Sequence, residues 1–346
     1  MGRRLLWASL ALAPATAAVD WFGNPSEVTL FVLSAISLIP LAWLIGESTE
    51  HAAEHTGPGI GGFLNASFGN APELIIALFA IGDNLPEVVR GSLAGSVVSN
   101  LLLVFGITQM AGPDGVRIDR RSLLVQVGLV GVAVVALLPP VVLGYTGDPN
   151  RHEVVVASIP VAIVLLVVYV AVVGRNLQRH RRREQNAPSE NAWPMWGSLV
   201  TLAVATVATA YVSELLVHSL SGFAHAVGLS EFFISVVIVA IVGNASEHGG
   251  AVVIARNGNM RLASEIAISS SAQVALLVLP IVMLLSLLFA NPLTLAFRWV
   301  ELGAMAVSAA LVAGTLADGR SRRREGAMLT AAYAVAVVVF YVAGNR

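Results

Sequence analysis

Long apolar runs alternate with short polar breaks along nearly the whole chain. A run of about 20 apolar residues can cross the hydrocarbon core of a bilayer as a helix. The pattern predicts such spans at 5–22, 27–46, 60–82, 87–111, 122–144, 153–174, 195–220, 231–255, 261–289, 296–317 and 326–343. The fold class that follows is all-α, a polytopic membrane protein of about eleven transmembrane helices. The first run follows Arg3-Arg4 and ends near Ala15-Thr16-Ala17, the layout of a cleavable signal segment. Residues 1–24 are nevertheless expected to stay as an N-terminal helix, because a first span can itself start insertion.

Composition sharpens this picture. The chain is 56% hydrophobic and 12% charged, with a mean hydropathy of +0.79, whereas a soluble domain carries about 25% charged residues. A net charge of −1 argues against a nucleic-acid partner. No cysteine is present, which excludes disulfides, thiolate metal sites and cysteine nucleophiles. All 20 basic residues are arginine, so lysine-based covalent chemistry is excluded as well. With the N-terminus in the cytoplasm, only Arg90, Arg151, Arg298 and Arg346 fall outside. That bias supports a cell-membrane protein with its N-terminus inside and its C-terminus outside. The one long polar stretch, 175–193, carries Arg179-His180-Arg181-Arg182-Arg183 and reads as a cytoplasmic basic linker between 25–174 and 194–346.

Against this background two carboxylates stand out. Glu73 lies in the third span within Gly69-Asn70-Ala71-Pro72-Glu73, and Glu247 in the eighth within Gly243-Asn244-Ala245-Ser246-Glu247. Charge inside a bilayer is costly and marks a functional site by default. Five spans separate the glutamates, so the two copies run through the bilayer in opposite directions. Inverted five-helix repeats of this kind, here with an extra N-terminal helix, are a signature of secondary transporters with a site near the midplane. Asn70 and Asn244 sit three residues before each glutamate, on the same helix face. Pro72 cannot donate a backbone hydrogen bond and would free the carbonyl of Phe68. Gly69 and Gly243 allow unwinding or close packing. Ser96 and Asn100 on the fourth span match Ser269, Ser270 and Gln273 on the ninth, and Ser96, Asn100, Ser270 and Gln273 are candidate further oxygen donors. An all-oxygen set suits a hard divalent cation such as Ca²⁺. The competing reading makes the Gly and Asn packing residues and the glutamates neutral core groups, and the duplication weighs against it.

The segment Glu50-His51-Ala52-Ala53-Glu54-His55-Thr56-Gly57, with the run from Gly61 to Ile76 and Ser99-Asn100-Leu101-Leu102-Leu103-Val104, resembles the first repeat of the calcium/proton exchanger (CAX) family. Val242-Gly243-Asn244-Ala245-Ser246-Glu247-His248 and Ser270-Ser271-Ala272-Gln273-Val274-Ala275-Leu276 resemble the second. The resemblance implies a cation antiporter of the calcium/cation exchanger superfamily, with Glu73 and Glu247 as central Ca²⁺ ligands. It implies Ca²⁺ and H⁺ as substrates, the lipid bilayer as surroundings and no cofactor, and it leaves room for a homo-oligomer. The chain departs from the family pattern at Pro72, at Ser269 where glycine is usual, and in a linker without a strong acidic stretch. Sodium-coupled Ca²⁺ exchange on the same fold is the alternative. A passive channel fits broken helices around a closed site less well.

Other residues have competing readings. Glu50 and Glu214 read as cation or proton pathway residues or as a solvated helix end. His248 would carry a proton or hold Glu247. Glu301 and Arg298 read as a structural pair near the tenth span. His51-Ala52-Ala53-Glu54-His55 matches the inverted zinc-protease motif, which offers a membrane metalloprotease as a reading from another class.

Overall fold

The computed structural model describes residues 2–180 and 193–344. Residues 181–192 of the expected linker lie outside the described residues. The fold is almost entirely helical. Eight helices among the described residues are long and apolar enough to cross a membrane. They are α1 (Leu5–Gly23), the Glu27–Thr56 part of α2 (Glu27–Phe68), α4 (Pro86–Ala111), α5 (Arg120–Tyr145), the His152–Val172 part of α6 (His152–His180), α7 (Met195–His218), α11 (Met260–Ser286) and α13 (Arg323–Gly344). A ninth crossing comes from a bent pair, α8 (Leu220–Val227) and α9 (Glu231–Gly243), which meet at 112°. Two shorter apolar helices are α3 (Ala71–Gly82) and α12 (Trp299–Thr315). The last element is α10 (Ala245–Arg256), which follows α9 after a break at Asn244. Each expected span overlaps one of these helices.

Two expectations at the level of elements change. The gap left between the spans at 27–46 and 60–82 is helical, because α2 runs unbroken from Glu27 to Phe68. Glu47, Glu50, Ala52, Ala53 and Glu54 are good helix formers and carry the helix beyond the apolar stretch. The third span is divided: the chain leaves α2 at Phe68 and re-enters helix at Ala71. A short β-pairing also joins two loops at the ends of α4 and α12. Val116 pairs with Ser321 and Arg117 with Arg320, antiparallel.

The inverted repeats are in register residue for residue over their central part. Adding 174 to α3 gives α10, and both span 12 residues. Asn70 and Asn244 cap them with nearly the same backbone, φ −100°, ψ 17° and φ −93°, ψ 8°. After α3 the chain turns through Asn84 at φ 58°, and after α10 through Gly258 at φ 89°. This left-handed turn favours glycine or asparagine. The π-helical turns Asn100–Val104 in α4 and Val274–Val278 in α11 keep the same offset. Insertions of that kind often lie at functional sites.

The core is built around α4, whose apolar window is 94% buried, while that of α1 is 11% buried and faces outward. Glycines let α4 cross α9 closely. A Cβ at Gly95 would collide with the Val236 carbonyl, and one at Gly91 with the Ser235 hydroxyl. Helices α4 and α11 meet at equivalent positions: the Ser271 hydroxyl donates to the Val97 carbonyl at 3.4 Å. The contact marks the pseudo-two-fold axis between the repeats.

Candidate cation site

The repeat geometry brings Glu73 and Glu247 together from opposite repeats, each in the first turn of a helix that begins at a break. The two carboxylates lie within electrostatic range of each other. Breaking a helix exposes its last carbonyls and first amides. The amide N–H of Leu74 bonds the Asn70 carbonyl at 3.2 Å, and that of His248 bonds the Asn244 carbonyl at 3.0 Å.

Each break asparagine reaches across to the other repeat. Asn70 Nδ2 donates to Gln273 Oε1 at 2.8 Å. Asn244 Nδ2 donates to Ser96 Oγ at 2.7 Å and to the Ala240 carbonyl at 3.0 Å. Asn100, fully buried, donates through Nδ2 to Asn244 Oδ1 at 3.1 Å and to Ser270 Oγ at 3.2 Å. Its own oxygen meets His248 Nε2 at 3.0 Å. The bonds form two sets, Asn70 with Gln273 and Asn244 with Ser96, Asn100, Ser270 and His248. Glu247 joins the second set through Ser270, while Glu73 takes no side-chain bond among the described residues and lies beside Gly243.

The two carboxylates are held differently. The Ser270 hydroxyl donates to Glu247 Oε2. Glu73 is 6% exposed, and its Oε2 is buried without a hydrogen-bond partner among the described residues. A Cβ at Gly243 would sit 3.4 Å from Glu73 Cγ, so the absent side chain leaves room for Glu73. An unpartnered buried carboxyl oxygen is costly and is a place for a proton or a cation. Two carboxylates, two amide oxygens or more, and hydroxyls suit a hard cation that takes about 6–8 oxygen ligands.

The register corrects one sequence match. Ser96 corresponds to Ser270, but Asn100 corresponds to Val274, and Gln273 to Ser99. The two amides therefore occupy non-equivalent positions on α4 and α11. The constant offset of Asn70/Asn244, Glu73/Glu247 and Ser96/Ser270 was a signal in the sequence that would have revealed this.

Other expected residues lie elsewhere. Glu50 and Glu214 are exposed on α2 and α7, outside this hydrogen-bonded cluster. Arg298 and Glu301 pair through a cap, with the Arg298 backbone N–H donating to Glu301 Oε2 at 2.5 Å. The Arg298 side chain instead reaches Glu87 Oε2 at 2.5 Å. Sequence reasoning missed that pair and its counterpart on the opposite face, Arg261 with Asp119 at 3.1 Å. In each, the second residue of a repeat's third helix meets the helix-capping residue before the other repeat's fourth, with the charges exchanged.

The His-x-x-Glu-His motif does not form a zinc centre. His51 stacks on Trp193 with centroids 4.6 Å apart and stands 3.7 Å from both Glu47 and Glu54. His55 Nε2 lies 2.7 Å from the Trp193 carbonyl. Zinc needs nitrogen and oxygen ligands converging at about 2.0–2.2 Å, and no group of three or more His, Cys, Asp or Glu that could hold a metal occurs among the described residues.

Comparison with known proteins places this geometry. The family profile described as "Sodium/calcium exchanger protein" matches residues 26–177 and 197–342. The chain is 38% identical over 332 residues to the Ca(2+)/H(+) antiporter ChaA of Bacillus subtilis (strain 168), covering 92% of this chain and 93% of that protein. It is 34% identical to the Ca(2+)/H(+) antiporter of Aphanothece halophytica, covering 91% of this chain and 90% of the other. Among solved structures, native YfkE matches with a TM-score of 0.84 and 33% identity, over 97% of this chain and 99% of that one.

Proposed function

The chain belongs to the sodium/calcium exchanger protein family, and on that premise we propose that it exchanges cytoplasmic Ca²⁺ for H⁺ by alternating access at the two-glutamate site. It is a multi-pass membrane transporter. The observation that carries the reading is the glutamate pair itself: two carboxylates from inverted repeats, one with an unpartnered buried oxygen, in a frame of neutral amides and hydroxyls. Relatives at 34–38% identity are Ca²⁺/H⁺ antiporters, which supports the same substrates.

Glu73 and Glu247 are the charged ligands. Asn70, Asn244, Ser96, Asn100, Ser270 and Gln273 supply oxygens or hold those that do. Two ionised carboxylates in a poorly solvated cavity repel each other, and a bound Ca²⁺ or two protons relieves that repulsion. The site therefore holds Ca²⁺ or protons but not both fully. The empty, doubly charged form crosses poorly, and this ties the two fluxes together. His248, bonded to Asn100, links proton occupancy to the amide frame, while Glu50 and Glu214 stand where ions enter or leave. The repeats at 25–174 and 194–346 rock around the site, with the N-terminus in the cytoplasm and the C-terminus outside.

The test is Ca²⁺ flux into vesicles holding the purified chain, driven first by a pH gradient and then by a Na⁺ gradient. Flux is expected with the pH gradient alone, with apparent Ca²⁺ affinity falling as pH falls. Flux that follows only the Na⁺ gradient, with affinity flat between about pH 5 and 8, overturns proton coupling, since competing protons must displace Ca²⁺ by linkage.

A further inference from the structure

The histidines of the His-x-x-Glu-His stretch take part in a joint between three helices. Trp193, two residues before α7, lays its ring on the His51 imidazole of α2, with centroids 4.6 Å apart and planes 23° apart. Its carbonyl meets His55 Nε2 at 2.7 Å, one turn further along α2. A carbonyl only accepts, so His55 Nε2 carries the hydrogen. Trp7 of α1 lies 6.0 Å from Trp193 and stands edge-on to Trp43 of α2 at 5.4 Å. Glu47 and Glu54 flank His51, each at 3.7 Å.

Tryptophans near the ends of membrane helices usually anchor the chain at the headgroup level. Trp196 fits that role, at 77% exposed. Trp193 is only half-buried as well, but its ring is spent on His51 and Trp7. The joint also has a small core of its own. Trp43 and Trp193 pack on Leu44 and Ile45 of α2 and on Leu202 and Ala205 of α7, apart from the main core. The position of these two helices matters for the cation site. Helix α7 packs along α3, which carries Glu73, and α2 packs along α10, which carries Glu247. Fixing α2 against α7 therefore fixes the supports of both glutamate helices.

We propose that Trp193 is a positioning residue for the cation site. By holding α2 on α7 it keeps α3 and α10, and with them Glu73 and Glu247, at the separation that lets both carboxylates share one cation. The inference rests on the two-glutamate reading above. Trp193 acts through helix packing, and the ring contact with His51 rather than the charge of the imidazole carries the effect.

The test is calorimetric Ca²⁺ titration of the purified full chain, together with hydrogen exchange in the absence of Ca²⁺. Trp193→Ala should weaken Ca²⁺ binding about fivefold, the scale of one aromatic contact, and Trp193→Phe should restore it. His51→Ala, at a position near the surface, should match Trp193→Ala and serves even where Trp193→Ala does not fold. His51→Phe keeps a stacked ring and should bind as the unsubstituted chain does. The two alanines together should lose no more than either alone, because they break one contact. Trp196→Ala, outside the joint, should change nothing. Hydrogen exchange should quicken in α3 and α10 of Trp193→Ala or His51→Ala, as well as at the joint. Unchanged affinity in folded His51→Ala, a loss that phenylalanine does not restore, an equal loss with Trp196→Ala, or faster exchange confined to the joint overturns the proposal. An unsubstituted chain that binds no Ca²⁺ fails the cation reading instead, and the exchange of α3 and α10 then decides alone whether the joint reaches them.

Discussion

The two halves of the cation site share a backbone but not a hydrogen-bond pattern. In the second repeat, Glu247 accepts from Ser270, and its neighbour His248 is tied to Asn100. In the first, Glu73 packs against Gly243 with an unpartnered oxygen, Ser96 is occupied by Asn244, and the residue matching His248 is Leu74. Duplication supplied two equivalent carboxylates, and the side chains around them then diverged. One carboxylate accepts a hydroxyl hydrogen bond, while the other keeps an unpartnered buried oxygen. The helix crossings differ in the same way. Gly91 and Gly95 of α4 touch α9 directly, whereas the matching residues of α11 are Glu265 and Ser269.

The largest expected effect removes a charge from either half. Glu73→Gln and Glu247→Gln should each reduce proton-driven Ca²⁺ flux by about a hundredfold or more, since a divalent cation then faces one carboxylate instead of two. Folded protein should remain in the membrane, as judged by size exclusion. Near-normal flux in either variant would mean that the halves do not share one cation.

Breaking the frame should have an unequal effect. Asn100→Ala removes bonds to Asn244, Ser270 and His248 together, and should weaken Ca²⁺ binding about tenfold or more, as loss of a support to metal ligands does. Gln273→Ala removes the bond to Asn70 and should cost about fivefold, close to one net hydrogen bond. Calorimetric titration of both variants checks the order, and equal losses would make the frame symmetric after all.

Exchanging the crossing residues tests whether the tight contact belongs to the first repeat alone. Gly95→Ser copies α11 into α4 and should lower stability by about 1–3 kcal/mol, because the new Cβ meets the Val236 carbonyl and the backbones must part. Ser269→Gly should change stability by about 1 kcal/mol or less, the helical cost of glycine. Thermal unfolding in detergent reads both.

The smallest effect should come from making the carboxylates alike. Ser270→Ala releases Glu247 and should reduce Ca²⁺ affinity by about threefold to fivefold, the scale of one hydrogen bond. Glu247 is half-buried rather than sealed, so water can replace part of the lost bond. An affinity loss as large as that of Asn100→Ala would show that the tether, rather than the amide frame, organises the site.

Much of this was legible in the residues. Every expected span found a helix, because twenty consecutive apolar residues admit few other structures in a bilayer. At Gly69 and Gly243 the residues left unwinding or close packing open, and the structure breaks the helices at Asn70 and Asn244. The gap between 27–46 and 60–82 is helix, because hydropathy ends a span where charged residues begin even though those residues favour helix. Asn100 was matched with Gln273 on shared chemistry, where the offset pointed to Val274. Arg90 drew attention only as one of the few arginines outside the cytoplasm; its buried place beside a cavity is invisible in a sequence, because Asn150 and Thr294 lie 60 and 204 positions away.

The sequence by itself determined the all-helical membrane class, the opposite directions of the two motifs and the presence of one carboxylate in each. Those features depend on local hydropathy and on counting spans. It did not determine the number of crossings, since eight helices, or nine with the bent pair, are long and apolar enough among the described residues against eleven expected. Only the tertiary structure decided that Asn70 meets Gln273, that Asn244 meets Ser96 and Asn100, and that Ser270 holds Glu247 while Glu73 keeps an unpartnered oxygen. Most of those contacts join side chains 144 to 203 positions apart across the repeat interface. They follow from how inverted helices pack, and small residues such as Gly95 and Gly243 set how closely the two repeats approach.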